Sequence, residues 1–90
     1  MNPSMDYPIQ MICAVSTSGN ITPMRFRYED TEHKLFTVNI DEVLAHNEIQ
    51  IAGATYIIFT CSAVIDNQKT LFKIKYTIPS HQWIFIRRLN

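Results

Sequence analysis

Along most of this chain, apolar and polar side chains alternate one by one. From Ile21 to Glu29, the residues Met24, Phe26 and Tyr28 alternate with Arg25, Arg27 and Glu29. From Lys34 to Ile40, the residues Phe36, Val38 and Ile40 oppose Leu35, Thr37 and Asn39. From Thr70 to Ile78, the residues Phe72, Ile74, Tyr76 and Ile78 form one face, with Lys73 and Lys75 on the other. A period of two sends successive side chains to opposite sides of an extended backbone, so each segment predicts a half-buried strand. Tyr7 to Ser16 predicts a first strand with Ile9, Met11, Cys13 and Val15 on one face. Ala54 to Ile65 is apolar on both faces, as expected of a central strand or one that bends across a barrel. Gln82 to Leu89 predicts the last strand.

Turn-forming clusters divide these segments: Ser16 to Asn20, Glu29 to Glu32, Asp66-Asn67-Gln68 and Pro79-Ser80-His81. Pro23, which has no N–H, suits an edge or the opening of a strand. Asp41 predicts the cap of one short helical turn through Ala45, and the polar stretch His46 to Gln50 predicts a loop. About six short strands at even spacing predict an all-β fold, an antiparallel meander curled into a small barrel, as one domain over residues 1–90. Closure would also remove the exposed edges that an Ile-rich chain needs to hide.

Composition supports this reading. Ile, Val and Thr supply 13, 4 and 8 residues, against nine Ala and Leu together. Branching at Cβ costs rotamer freedom in a helix and packs well on a pleated surface. With 47% hydrophobic and 18% charged residues, the chain can bury a core and is not expected to be disordered. Residues 1–10 lack the basic start and apolar run of an export signal, and no run approaches the ~20 apolar residues of a membrane helix. A cytoplasmic chain with no membrane partner is expected.

Candidate chemistry is sparse. Cys13 and Cys61 lie in apolar, strand-like runs and read as reduced core thiols; a disulfide between neighbouring strands is the alternative. His33, His46 and His81 show no paired ligand spacing and read as loop residues, so no metal is expected. The adjacent carboxylates Glu29-Asp30 and Asp41-Glu42 sit in polar turns, where nothing pushes their pKa values apart as acid–base catalysis requires. Two glycines cannot build a phosphate-cradling loop. The expectation is a protein without catalytic residues or cofactor.

Charge placement is more informative than the net charge of zero. Glu29 to Asp66 holds seven acidic residues and one basic one, whereas Asn67 to Asn90 holds five basic residues and no acidic one. Arg25 and Arg27 share one outward face, and Lys73 and Lys75 another. Either folding brings the two pairs together into a basic surface, or each lies opposite acidic strands and is neutralised. The final strand is equally two-sided. Strict alternation puts Trp83, Phe85 and Arg87 on one face and Ile84, Ile86 and Arg88 on the other. With the aromatics inward, Trp83 is the largest core residue; with them outward, they join Arg87 in a strip suited to stacking on bases or anchoring a protein.

The run Gly19-Asn20-Ile21-Thr22-Pro23-Met24-Arg25-Phe26-Arg27-Tyr28 is followed by Val38-Asn39-Ile40-Asp41-Glu42-Val43-Leu44, then Phe72-Lys73-Ile74-Lys75-Tyr76 and Trp83-Ile84-Phe85-Ile86. In that order these segments resemble a group of small bacterial all-β proteins of unknown function. The resemblance implies an all-β module and carries no functional residue. The first functional expectation is therefore a non-catalytic interaction module whose partner is a protein or a second copy of the chain. The alternative is a weak binder of single-stranded nucleic acid that uses Trp83, Phe85, Arg87, Lys73, Lys75, Arg25 and Arg27.

Overall fold

A computed structural model describes residues 6–90. It contains six strands: β1 (Tyr7–Val15), β2 (Ile21–Glu29), β3 (Leu35–Ile51), β4 (Ala54–Ile65), β5 (Gln68–Thr77) and β6 (Gln82–Arg88). Each pairs antiparallel with the next, and β1 pairs with β6 to close a barrel in the order β1-β2-β3-β4-β5-β6. The expected all-β meander is therefore the fold.

The inward residues fill the barrel. Phe26, Phe59, Phe72, Ile74, Trp83 and Phe85 are buried with Ile9, Val38, Cys61, Ala63 and Tyr76. Their rings interlock: Phe72 lies 5.6 Å edge-on from Phe26 and 5.5 Å stacked from Phe85. Trp83 lies 5.6 Å from Phe59 and 4.7 Å from Tyr76. Such pairs each add about 0.5–1.5 kcal/mol beyond the area they bury. The two-sided reading of the last strand resolves here, because Trp83 is 7% and Phe85 4% exposed.

Three departures from strict alternation have one cause, the β-bulge, in which two residues of one strand oppose one of its neighbour. Ile12 faces Arg25 while Cys13 faces Pro23, so Met24 is the extra residue on β2. Pro23 therefore turns inward, and Met24, expected in the core, is 51% exposed. On β6, Phe85 faces Ile74 and Arg87 faces Lys73, so Ile86 is the extra residue. The bulge moves Arg87 off the face of Trp83 and Phe85 and puts Arg88, opposite inward Phe72, in its place. The third departure replaces the helical turn expected over Asp41–Ala45 and the loop over His46–Gln50. Both belong to the 17-residue strand β3, bulged at Asp41 and at Leu44. The first bulge leaves a three-residue step between Ile40 and Val43, which both pack against the core, and that step imitates helical spacing.

The turns follow local chemistry. Asp30 Oδ1 accepts bonds from the backbone N–H of Glu32 and Lys34 at 2.8 and 2.9 Å. Two-residue turns join β3 to β4 and β4 to β5, with positive φ at Ala52 and Gly53 and at Asp66 and Asn67. Asn and Gly tolerate that conformation, but Ala52, at φ 51°, does so at a steric cost. Ala52→Asn is expected to gain about 1 kcal/mol, read as a higher urea midpoint at unchanged slope.

Candidate functional site

The closed order of strands conceals a split. β2 pairs with β3 from Arg25 to Glu29, against Asn39 to Leu35, and no further. The two bulges turn β3 away at that point, and from Ile40 to Ile51 it pairs with β4 alone. Among the described residues, Ile21 to Met24 of β2 and Ile40 to Ile51 of β3 are thus strand edges without a neighbour on their facing sides. An open groove of about 430 Å³ lies between them. Val43, Ile57, Phe59 and Ile78 give it an apolar floor, with Ile21 and Thr22 on one wall and His46 and Glu48 on the other. His46 and Glu48 face the groove because they oppose the inward residues Phe59 and Ile57 across the β3–β4 ladder.

The outer side of this long hairpin has the reverse polarity. Leu44, Ile49 and Ile51 are exposed, Ile51 at 59%. Ile49 opposes Tyr56, and Asn47 opposes half-buried Ile58, which is followed across the sheet by Lys75 and Ile84. Lys75 Nζ sits 5.0 Å above the Tyr56 ring. The β1–β2 hairpin exposes Ile12, Val15 and Met24. Val15 was expected in the first strand's core face, but it lies at the open end of the barrel and is exposed.

The charged residues fall into separate places. β2 and β5 are three strands apart in either direction around the ring, so Arg25 and Arg27 do not share a surface with Lys73 and Lys75. Nor are they neutralised across the ladder: Arg25 opposes Asn39 and Arg27 opposes Thr37. Arg27 instead donates from Nε and Nη2 to Gln10 Oε1 at 3.1 and 2.8 Å. His33 Nδ1 lies 3.3 Å from Glu29 Oε2 in an exposed turn, and among the described residues no Lys or Arg is paired with a carboxylate. Lys73 and Arg87 are cross-strand neighbours, so Lys73, Lys75 and Arg87 do share the β5–β6 surface. Trp83 and Phe85 lie beneath that surface, in the core.

The groups able to do chemistry stay apart. Cys61 is inaccessible on β4, and burial pushes its thiol up to about 12. Cys13 lies on β1, which is not a neighbour of β4, and both thiols are free. His81 Nδ1 is hydrogen-bonded to Tyr76 Oη at 2.7 Å. His46, expected in a loop, stands on strand β3 with its ring 6.1 Å from Phe59. Among the described residues no three His, Cys, Asp or Glu side chains gather as metal ligands would. No helix of the described residues is long and apolar enough to cross a membrane.

The groove and the hairpin beside it were not singled out by the sequence, although a signal existed. Ala45, Asn47, Ile49 and Ile51 alternate with His46, Glu48 and Gln50 ahead of Ala52-Gly53, a strand pattern that runs straight into a tight turn. No protein-family model, curated protein or solved structure matches the chain.

Proposed function

We propose that the protein is a non-catalytic interaction module that binds another polypeptide through the β3–β4 hairpin. The observation that carries this is the set of exposed apolar residues Leu44, Ile49 and Ile51 on a strand that, among the described residues, has no neighbour on one side. An unpaired edge and an apolar face on the same element are what a docking surface requires. The inertness of the rest supports the non-catalytic part. Cys61 is held protonated in the core, and the histidines are spread over distant sites. Two unbridged thiols suit a reducing compartment such as the cytoplasm.

The test is a contact reconstituted from pure components. A protein that co-purifies with the chain is recombined with wild type and with the double variant Ile49→Lys/Ile51→Lys. Loss of the contact with an unchanged circular dichroism spectrum is expected. Equal binding by both would move the contact off this hairpin. Turnover of a small molecule that disappears in Cys13→Ala would end the non-catalytic reading.

One observation favours the second reading, weak binding of single-stranded nucleic acid: Lys73, Lys75 and Arg87 lie together on β5–β6 beside Tyr56. Three phosphate contacts give a log–log salt slope of about −2. Because Trp83 is buried, its emission should not respond to an oligonucleotide, and anisotropy of a labelled strand is the proper readout. A flat titration at low salt sets this reading aside.

A further inference from the structure

We infer that the free edge of β3, from Ile40 to Ile51, takes up an extended segment of a partner protein as an added antiparallel strand. The segment would alternate basic with β-branched or other apolar residues. This inference rests on the interaction-module reading and names the partner's chemistry and its mode of attachment.

The first argument is the backbone. Every second residue of a strand directs its N–H and C=O toward one neighbour, and past Asn39 β3 has no such neighbour among the described residues. Unpaired edge groups form a template for another chain, and main-chain bonds to such an edge supply affinity while alternate side chains supply specificity. The groove gives the incoming strand room beside β3, and its floor of Val43, Ile57 and Phe59 is already apolar.

The second argument is charge. No Lys or Arg occurs between Leu35 and Gln68, whereas Asp41, Glu42 and Glu48 all lie on the free edge segment. Glu48 faces the groove beside His46, while Asp41 and Glu42 stand on the outer side at the position opposite Ser62, so carboxylates border both faces of the added strand. Its apolar residues on the outer side extend the apolar row of Ile49 and Ile51. Basic residues of the added strand are therefore matched at Asp41, Glu42 and Glu48, and its apolar residues at the floor of the groove and at Ile49 and Ile51. The same charges disfavour a second copy in this place. Pairing two β3 edges about a twofold axis brings together two segments that carry only acidic charges, with no Lys or Arg to match them, and registers that set Glu42 or Glu48 against a carboxylate are destabilised.

The probe is a fluorescein-labelled octapeptide of alternating Lys and Val, with two controls: the same peptide N-methylated at alternate backbone nitrogens, and an alternating Glu–Val peptide. N-methylation removes main-chain donors and leaves the charge untouched, so it separates strand addition from adhesion of a polycation. Saturable one-to-one binding of the Lys–Val peptide is expected, weakened at least about tenfold by N-methylation. The Glu–Val peptide should not bind wild type, and should gain affinity for the Glu42→Lys/Glu48→Lys variant as the Lys–Val peptide loses it. Hydrogen exchange should slow at the amides of Ile40 to Ile51 and not on β5 or β6.

Equal binding of the N-methylated peptide, or protection confined to β5–β6, overturns the inference. So does the absence of saturable binding, or a dimer in sedimentation that protects the Ile40–Ile51 amides without peptide. If the peptide fails while Ile49→Lys/Ile51→Lys still abolishes a reconstituted protein contact, strand addition falls and the interaction module stands.

Discussion

Phe72→Ala is expected to cost about 3–5 kcal/mol, the usual range for emptying an aromatic site in a core that cannot collapse around the gap. Phe72 has no exposed surface and is pinned between Phe26 at 5.6 Å and Phe85 at 5.5 Å. Each of those rings is held by a different strand of a closed ring, so relaxation into the cavity would have to strain the ladder on both sides. A domain of this size has a total stability on the order of 5–13 kcal/mol. The variant should therefore lose a large share of the barrel's stability, and at the lower end of that range it is close to its unfolding transition at room temperature. Urea denaturation followed by circular dichroism measures the shift. A loss of less than about 1 kcal/mol, the scale of an ordinary point substitution, would mean that the rings are loosely packed and the interior has space to spare.

Raising the pH is expected to leave stability level up to about 9 and then erode it as pH climbs toward 12. In the unfolded chain a cysteine thiol ionises near 9.0 and a tyrosine near 10.0. In the barrel, burial pushes Cys61 up to about 12, and burial together with the nearby Tyr28 hydroxyl pushes Tyr7 up to about 12, against a smaller opposing pull from Arg88. Both groups hold their protons longer in the folded state, so the unfolded state releases protons first. Rising pH therefore draws the chain toward unfolding. Below 9.0 both groups are protonated in either state and contribute no slope. Cys61→Ala should delay the onset of the fall toward pH 10, where Tyr7 takes over. Urea midpoints taken at pH steps across this window measure the effect, and a midpoint that stays flat would contradict it. The same burial makes Cys61 unreactive toward disulfide reagents until the chain unfolds.

Where pairing is regular, the faces of the strands were legible from the chain alone. Val38, Phe59 and Cys61, and Phe72, Ile74 and Tyr76 all point where a period of two sends them, and Phe36 stacks on Tyr28 on the same side. The misplaced residues cluster at bulges: Met24, the Asp41–Leu44 stretch and the Ile86–Arg88 stretch. A bulge is a relation between two strands, since the extra residue is extra only against a particular partner. One strand read by itself does not announce it, and every side chain beyond it changes face. The grouping of the basic residues was illegible for a similar reason. Whether Arg25 and Lys75 share a surface depends on the strand order around the ring, which alternation leaves open. The candidate site suffered from both effects. It lies where a doubly bulged strand leaves its neighbour, and the part of β3 that walls it was read as a capping turn followed by a loop.

The seam between β1 and β6 is short. Among the described residues it runs from Tyr7–Phe85 through Pro8–Ile84 to Ile9–Trp83, and Pro8 has no N–H to give. A recess of about 570 Å³ opens beside it, next to Gln10, His81 and Trp83. These are also the two strands farthest apart in sequence, so joining them closes the longest loop in the chain. The ring is thus a five-hairpin ribbon held shut by a small latch, and the latch should be the first part to release. When it releases, Trp83 and Phe85 meet water while the ribbon from β2 to β5 can remain intact. The indole, silent toward ligands on the closed surface, then becomes a reporter of breathing at the seam.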